Sequence, residues 1–405
     1  RHSRTRNAML RGTPFHSRTG VLCQSQNWRR WAGYVVAGSY ELTHDREYYA
    51  IRCGAALIDV SPLHKYMIRG PDAVRFLDRV VTRDVSRCAL GQVLYTPWCD
   101  ETGKVIDDGT LARLGEETFR LTAAEPNLRW LHDNATGLRM TIEDVSDSTA
   151  ALAIQGPASR EILNCVSDAG VDGLRFFRVT ATNVRGIPVT ISRTGYTGDL
   201  GYEIWVDSER AEPLWDALVE AGGPYGITPA GILALDVARI EAGLILIDVD
   251  YVPAHRALIE SRKSSPFELG LGWTVKLNKG VDNFVGSKAL EQEKRRGSQW
   301  QLRGLEIDWQ SLEKLYGEVG LPPQLPTVAW RTSVPVYASG KQVGYATSGC
   351  WSPILKKYIA LAHLQSGYTE PGTKLQMEVT VEHHRKRAAA TVTQTPFFDP
   401  ERKRA

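Results

Sequence analysis

The chain has 405 residues, 42% hydrophobic and 23% charged, an ordinary globular composition long enough for two or three domains. Lysine plus arginine (49) against aspartate plus glutamate (46) gives a net charge of +3, which excludes the one-sided basic surface of a nucleic-acid binder. Cys23, Cys53, Cys88, Cys99, Cys165 and Cys350 are scattered without a C-x-x-C pair, so neither a zinc site nor a disulfide framework is indicated, and no apolar run approaches the ~18 residues of a spanning helix.

In chain order, the first forty residues carry many arginines and no acid before Glu41. Residues 1–12 are expected to be a disordered tail. The same composition matches a mitochondrial transit peptide, so the expected location is the cytoplasm with the mitochondrial matrix as alternative. From Thr13 the chain is expected to fold.

An internal repeat organises the next part. Asp59-Val60-Ser61 followed by Ile68-Arg69-Gly70-Pro71-Asp72-Ala73 recurs as Asp144-Val145-Ser146 followed by Ile154-Gln155-Gly156-Pro157-Ala158-Ser159. Each copy reads as an apolar strand ending at Gly, with Pro in the first turn of an amphipathic helix. Two such units suggest related α+β halves with a cleft at their interface.

Between the copies, residues 93–98, 104–114 and 118–123 read as an antiparallel meander, its first hairpin turning at Asp100-Glu101-Thr102-Gly103. Asp107 and Asp108 are adjacent on the returning strand, so at most one can face a given cavity. A carboxylate inside an apolar strand is costly unless it is paired or used, which makes this pair a functional lead. Strands at 187–193 and 201–206 then flank a turn over 194–199, and helices are expected over 211–221 and 229–242. A polar stretch over 291–299 is read as the separator before a tail whose hairpins predict a small β-barrel. His383-His384 is placed at a turn as exposed decoration, and no metal site is expected.

Five stretches in order resemble one known family. They are Leu57-Ile58-Asp59-Val60-Ser61, Gly103-Lys104-Val105-Ile106-Asp107-Asp108, Ala153-Ile154-Gln155-Gly156-Pro157, Gly195-Tyr196-Thr197-Gly198-Asp199-Leu200-Gly201-Tyr202-Glu203-Ile204, and Thr347-Ser348-Gly349-Cys350-Trp351 with the residues that follow. The chain so resembles the glycine-cleavage T-protein (aminomethyltransferase) family of tetrahydrofolate-dependent one-carbon transferases, from about Thr13 to Phe397. The resemblance implies an α+β, three-domain cloverleaf: two related α+β domains, at 13–140 and 141–295, and a C-terminal β-barrel at 300–405 around a central folate channel.

It also implies roles. The second aspartate of the Asp-Asp pair, Asp108, would lie against the reacting end of the folate and stabilise positive charge there, leaving Asp107 structural. Glu203 would hold the pterin by accepting its N–H groups side by side. Tyr95, Trp98 and Tyr196 are candidate walls of the pterin or donor site. Tyr251, Tyr34 and His255 are candidate acids for the leaving group.

Departures bear on the substrate. Leu235 in Leu235-Asp236-Val237-Ala238-Arg239-Ile240-Glu241-Ala242-Gly243 stands where the family has an arginine contacting folate or substrate. An alkyl edge there suits an aromatic or otherwise uncharged donor. The expected reaction is transfer of a methyl or methylene group from a small donor to tetrahydrofolate, as in the family's demethylases. The alternatives are the aminomethyltransferase of glycine cleavage, which needs a lipoyl H-protein partner, and a folate-binding protein without chemistry.

Overall fold

The computed structural model describes residues 10–279 and 283–405. Residues 1–9 of the expected tail lie outside the described residues. The rest of that tail is not disordered: Arg11–Gly12 pairs in parallel with Tyr34 and Val35 on the edge of a three-stranded sheet that also holds Asn27–Trp31.

Two sheets form the body, the first antiparallel throughout and the second mixed. A five-stranded sheet runs in the order Val93–Cys99, Val105–Gly115, Thr118–Ala123, His64–Arg69, Thr141–Asp144. A six-stranded sheet runs Val179–Val184, Ile187–Ser192, Gly201–Asp207, Thr149–Gln155, Ala56–Asp59, Thr228–Pro229. The expected division at 140/141 does not separate these sheets. Ala56–Asp59 lies in the second sheet and Thr141–Asp144 completes the first, so each half lends a strand to the other.

The repeat found in the sequence marks the two crossings. At the first, the amide of Ser61 donates to Asp59 Oδ1 at 3.0 Å; at the second, the amide of Ser146 donates to Asp144 Oδ1 at 3.0 Å. The backbone of one crossing then bonds the other half reciprocally: Ala151 N–H to Ser61 Oγ at 3.1 Å, and Lys65 N–H to Ser146 Oγ at 2.9 Å. Short Asx-type turns thus redirect the chain between sheets while their hydroxyls satisfy strand amides. Both repeat glycines, Gly70 (φ +132) and Gly156 (φ +126), sit where a side chain would be strained. The following helices begin later than expected, at Ala73 and Ser159, with Pro71 and Pro157 just ahead of the N-cap.

Thr149–Gln155 shows why the sequence reads as a nearly continuous apolar run. Ala150, Leu152 and Ile154 enter the core of the second half, while Ala151 and Ala153 pack with the helix Ile232–Glu241 on the other face. A strand buried on both faces has no polar alternation to display. The helix starts at Ile232 because Thr228–Pro229 is used as a short parallel strand beside Ala56–Leu57, and it ends at Glu241, with Ala242 as the C-cap and Gly243 at φ +66.

The expected separator at 291–299 is instead mostly helix, Ser287–Arg296, most of whose polar residues face solvent while Glu293 is buried and Leu290 packs against Cys99, Val105 and Phe284. The C-terminal strands close into a six-stranded barrel, Trp300–Ile307, Lys357–Gln365, Lys341–Ser352, Val334–Ala338, Lys374–Val381 and His384–Thr393. Among the described residues no helix is long and apolar enough to cross a membrane.

Candidate active site

A cavity of about 1420 Å³ lies where both sheets, the helix Ile232–Glu241 and the barrel side meet. Its floor holds Asp108, on the returning strand of the Val93–Cys99/Val105–Gly115 hairpin. Gly109 follows it because a Cβ there would lie 1.9 Å from the Thr122 carbonyl oxygen, so the strand can press against Thr118–Ala123 only without a side chain.

The strand's alternation separates the two acids. Asp107 is fully buried and accepts from the Asp108 amide (2.8 Å), the Glu125 amide (3.0 Å) and Asn127 Nδ2 (2.7 Å), a structural staple. Asp108 lines the cavity, its Oδ2 accepting the Tyr95 hydroxyl at 2.8 Å and its Oδ1 the Tyr251 hydroxyl at 2.5 Å. Burial raises the Asp108 carboxyl above the usual range, and the two tyrosine hydrogen bonds pull it back. Among the described residues no cation pairs with it. Its charge is therefore uncompensated inside a partly enclosed site.

Tyr251 is placed by the barrel. Asp250, next to it, accepts Thr347 Oγ1 at 2.5 Å and Ser348 Oγ at 2.8 Å on Oδ1, while Oδ2 takes the Leu246 amide at 2.9 Å and the Arg239 guanidinium. Two barrel hydroxyls thus fix the loop that aims a tyrosine at Asp108.

Across the cavity, Glu203 projects from Gly201–Asp207, with Oε2 taking the hydroxyl of Thr194. No other protein donor reaches this carboxylate among the described residues. Burial raises it, with the Thr194 hydrogen bond and the charge of Arg120 opposing. Tyr196 lines the wall and gives its hydroxyl to the Ile245 carbonyl. Leu235 contributes an alkyl edge from the helix, one turn from the buried Arg239, which is held by Asp236 Oδ1 (2.8 Å) and Asp250.

Four nominated residues lie outside the lining. Trp98 is fully buried in the core of the first half, with Nε1–H donating to Asn127 Oδ1 at 3.3 Å; it stands opposite Asp107 in register and shares the inward side of the hairpin. Tyr251 is 3% exposed and its proton is committed to Asp108, so it stands behind the acid rather than against a ligand. Tyr34 is spent on Asp147 at 2.9 Å beneath the Arg11 guanidinium. His255 is exposed at the surface beside Arg256.

Sequence reasoning missed several liners. Trp273, 56% exposed, stacks at 6.2 Å on Tyr95, and Trp31 and Trp205 add aromatic wall. Trp31 lies three residues before Tyr34, the residue nominated from this part of the chain. Trp273 carried no pattern, because its short 3₁₀ turn Gly272–Thr274 has no period to read. Among the described residues no group of three or more His, Cys, Asp or Glu is arranged to hold a metal.

Known proteins resemble this chain in sequence and fold. The GCVT N-terminal domain matches residues 15–279 and the glycine cleavage T-protein C-terminal barrel domain matches residues 319–399. A trimethylamine-oxide aldolase of Ruegeria pomeroyi is 34% identical over 408 residues, 98% of this chain but 48% of that protein, so the chain spans about half the length of this relative. An aminomethyltransferase of Halothermothrix orenii is 35% identical over 356 residues, 87% of this chain and 90% of its own. The crystal structure of the glycine cleavage system aminomethyltransferase T from Bartonella henselae has a TM-score of 0.80 at 25% identity, covering 96% of this chain and 98% of that one. The chain belongs to the glycine cleavage T-protein family of folate-dependent transferases.

Proposed function

We propose that this enzyme moves a one-carbon unit, methyl or methylene, from a small donor to tetrahydrofolate. The observation that carries the reading is Asp108: a cavity-lining carboxylate held by two neutral hydroxyls and matched by no cation among the described residues. Such a group is poised to meet positive charge brought or developed by a ligand.

The cavity's donor set fits tetrahydrofolate. Glu203 spends one bond on Thr194 and keeps acceptor sites for the edge-on N–H groups of a pterin, while Tyr95, Tyr196 and Trp31 offer flat apolar faces. The volume of about 1420 Å³ exceeds the roughly 300–1,000 Å³ of a single-ligand pocket, which leaves room for a donor beside the folate. When bound, tetrahydrofolate supplies the nitrogen that takes up the one-carbon unit. Glu203 orients the ring, and Asp108 stabilises charge developing near the reacting atoms. Tyr95 and Tyr251 fix the angle of that carboxylate, and their hydrogen bonds favour its ionised form against the larger opposing effect of burial.

Two points favour a small donor over a lipoyl arm. Leu235 puts an alkyl group on the cavity wall where the family resemblance leads one to expect an arginine. The Ruegeria pomeroyi relative, matched across 98% of this chain, is named for an activity on a small methylated amine oxide. The aminomethyltransferase reading with lipoyl H-protein keeps support from relatives of that name at 34% to 36% identity.

The test is turnover with tetrahydrofolate and either aminomethylated H-protein or a panel of methylamine, methoxy, methylenedioxy and methylsulfonio compounds. Formation of methyl- or methylenetetrahydrofolate from a small donor alone is expected. Product with H-protein only would overturn the proposal in favour of the second reading. Tight folate binding with no product from any donor would favour a non-catalytic folate-binding protein.

A further inference from the structure

We propose that Arg120, seated outside the cavity, is a positioning residue for Glu203, acting through Trp205, Ser192 and Thr194 to hold that carboxylate ionised and aimed at the ligand. Nothing in the local sequence Thr118-Phe119-Arg120-Leu121-Thr122 marks Arg120 as more than a strand arginine. The geometry does.

Glu203 and Trp205 are two apart on one strand and share a face. Trp205 Nε1–H donates to Ser192 Oγ at 3.2 Å, Ser192 Oγ lies 2.8 Å from Thr194 Oγ1, and the Thr194 hydroxyl donates to Glu203 Oε2. The indole can only donate and the last link is a donation to the carboxylate; the Ser192 hydroxyl has two acceptors in reach, Thr194 Oγ1 at 2.8 Å and the Glu203 carbonyl at 3.4 Å, and along the shorter contact every proton points the same way. Three aligned donors ending on one oxygen strengthen each other and favour the anion.

Arg120 covers the start of this chain. Its guanidinium carbon lies 4.0 Å from the centroid of the Trp205 ring, and Nη1 donates to Thr190 Oγ1 at 3.0 Å, the residue opposite Trp205 in register. It is 5% exposed, its Nε has no partner, and no carboxylate forms an ion pair with it among the described residues. A buried cation in that condition is destabilising unless a nearby anion offsets it. Glu203 is the acid whose charge acts on Arg120, and Arg120 the cation whose charge acts on Glu203. Burial lowers Arg120 to about 9, which leaves it charged at neutral pH. The positions flanking Glu203 on neighbouring strands, Ala153 and Ser192, do not ionise. Asp108, Tyr196, Asp236 and Arg239 line the same cavity from other elements, and none figures among the groups that shift Glu203. Cation and acid thus offset each other across an indole without touching, leaving Glu203 free for a ligand.

The consequence for a ligand rests on the reading that Glu203 receives the pterin, so the experiment measures the carboxyl directly as well as through binding. The Glu203 side-chain carbon is titrated by ¹³C NMR, assigned with Glu203→Gln, in the parent, Arg120→Gln and Arg120→Lys. Tetrahydrofolate Kd is measured against pH in the same proteins. Arg120→Gln is expected to raise the Glu203 midpoint by about one pH unit or more. It should weaken folate binding roughly tenfold at the pH where the parent is ionised and the variant is not, with recovery at higher pH. Arg120→Lys should restore most of both. An unchanged midpoint in Arg120→Gln would overturn the proposal. If that variant does not fold, Trp205→Phe, which keeps a ring but removes the Nε1 donor, is read the same way. A shifted midpoint with folate affinity unaffected even by Glu203→Gln would support the positioning and overturn the pterin reading.

Discussion

Replacing Asp108 with Asn removes the charge while keeping the shape. The two tyrosine hydroxyls that now donate at 2.8 and 2.5 Å would meet one oxygen and one NH₂, and the hydroxyl facing the NH₂ can rotate to accept. Binding geometry should survive. What is lost is the interaction with positive charge at the reacting atoms, about 4 kcal/mol for charges about 4 Å apart at an effective dielectric of about 20. The amide dipole retains part of that, and losing one preorganised group in other enzymes slows turnover by about 10²–10³. We expect kcat to fall about 100-fold, with tetrahydrofolate Kd within about threefold of the parent. Single-turnover rates with saturating donor, paired with calorimetric Kd, make the measurement. The stability sign is opposite. Burial raises the Asp108 carboxyl, so the folded state holds its proton where the unfolded chain has lost it, and stability falls as pH rises from about 3.9 through the raised value. Asp108→Asn should therefore match or exceed the parent in Tm at pH 7, with the difference vanishing at acid pH. A kcat within about threefold of the parent would refute the electrostatic role.

Other expectations follow from the same contacts. Tyr251→Phe removes a hydrogen bond that lowers the Asp108 carboxyl, so the acid limb of the kcat profile should move to higher pH and kcat fall roughly tenfold, read from rates over pH 5 to 9. Arg52→Met leaves Glu241 buried without the cation now 2.6 Å away and Asp199 with Arg402 alone; urea unfolding should show a loss of about 3–5 kcal/mol. Asp107→Ala takes the acceptor from the Glu125 and Asp108 amides, at about 1–3 kcal/mol each, and leaves Asn127 Nδ2 with the Glu125 carbonyl alone, so the variant should unfold at markedly lower urea with no specific change in pH profile.

The parts of this fold that follow local rules were readable. The hairpin around Asp100–Gly103, the repeat and the barrel hairpins all announce themselves through period-2 runs, Gly-Pro turns and β-branched residues. The strand exchange was not, because Asp59-Val60-Ser61 and Asp144-Val145-Ser146 reveal a turn but not which sheet each flanking strand joins. The helix Ser287–Arg296 was taken as a separator because its polar face dominates the composition and only positions such as Leu290 touch the core. In the site, alternation narrowed the acids to one per face, and the resemblance chose between them. Trp98 misled because an aromatic on a hairpin strand reads alike whether it faces the core or a ligand. Tyr34 and His255 were chosen by chemistry alone; the first is held by Asp147, far along the chain, and the second faces solvent. Arg120 and Trp273 act through tertiary neighbours, which no spacing in one sequence encodes.

The central claim, transfer of one carbon from a small donor to tetrahydrofolate at Asp108, is tested most directly by a ¹³C-methyl-labelled donor. The donor that turns over in the panel is mixed with excess enzyme and tetrahydrofolate, and the label is followed by NMR through a single turnover. The account predicts that the label appears on the folate at the rate of donor loss and that Asp108→Asn slows both together. Label released as free formaldehyde or methanol at the same rate with and without tetrahydrofolate would contradict it.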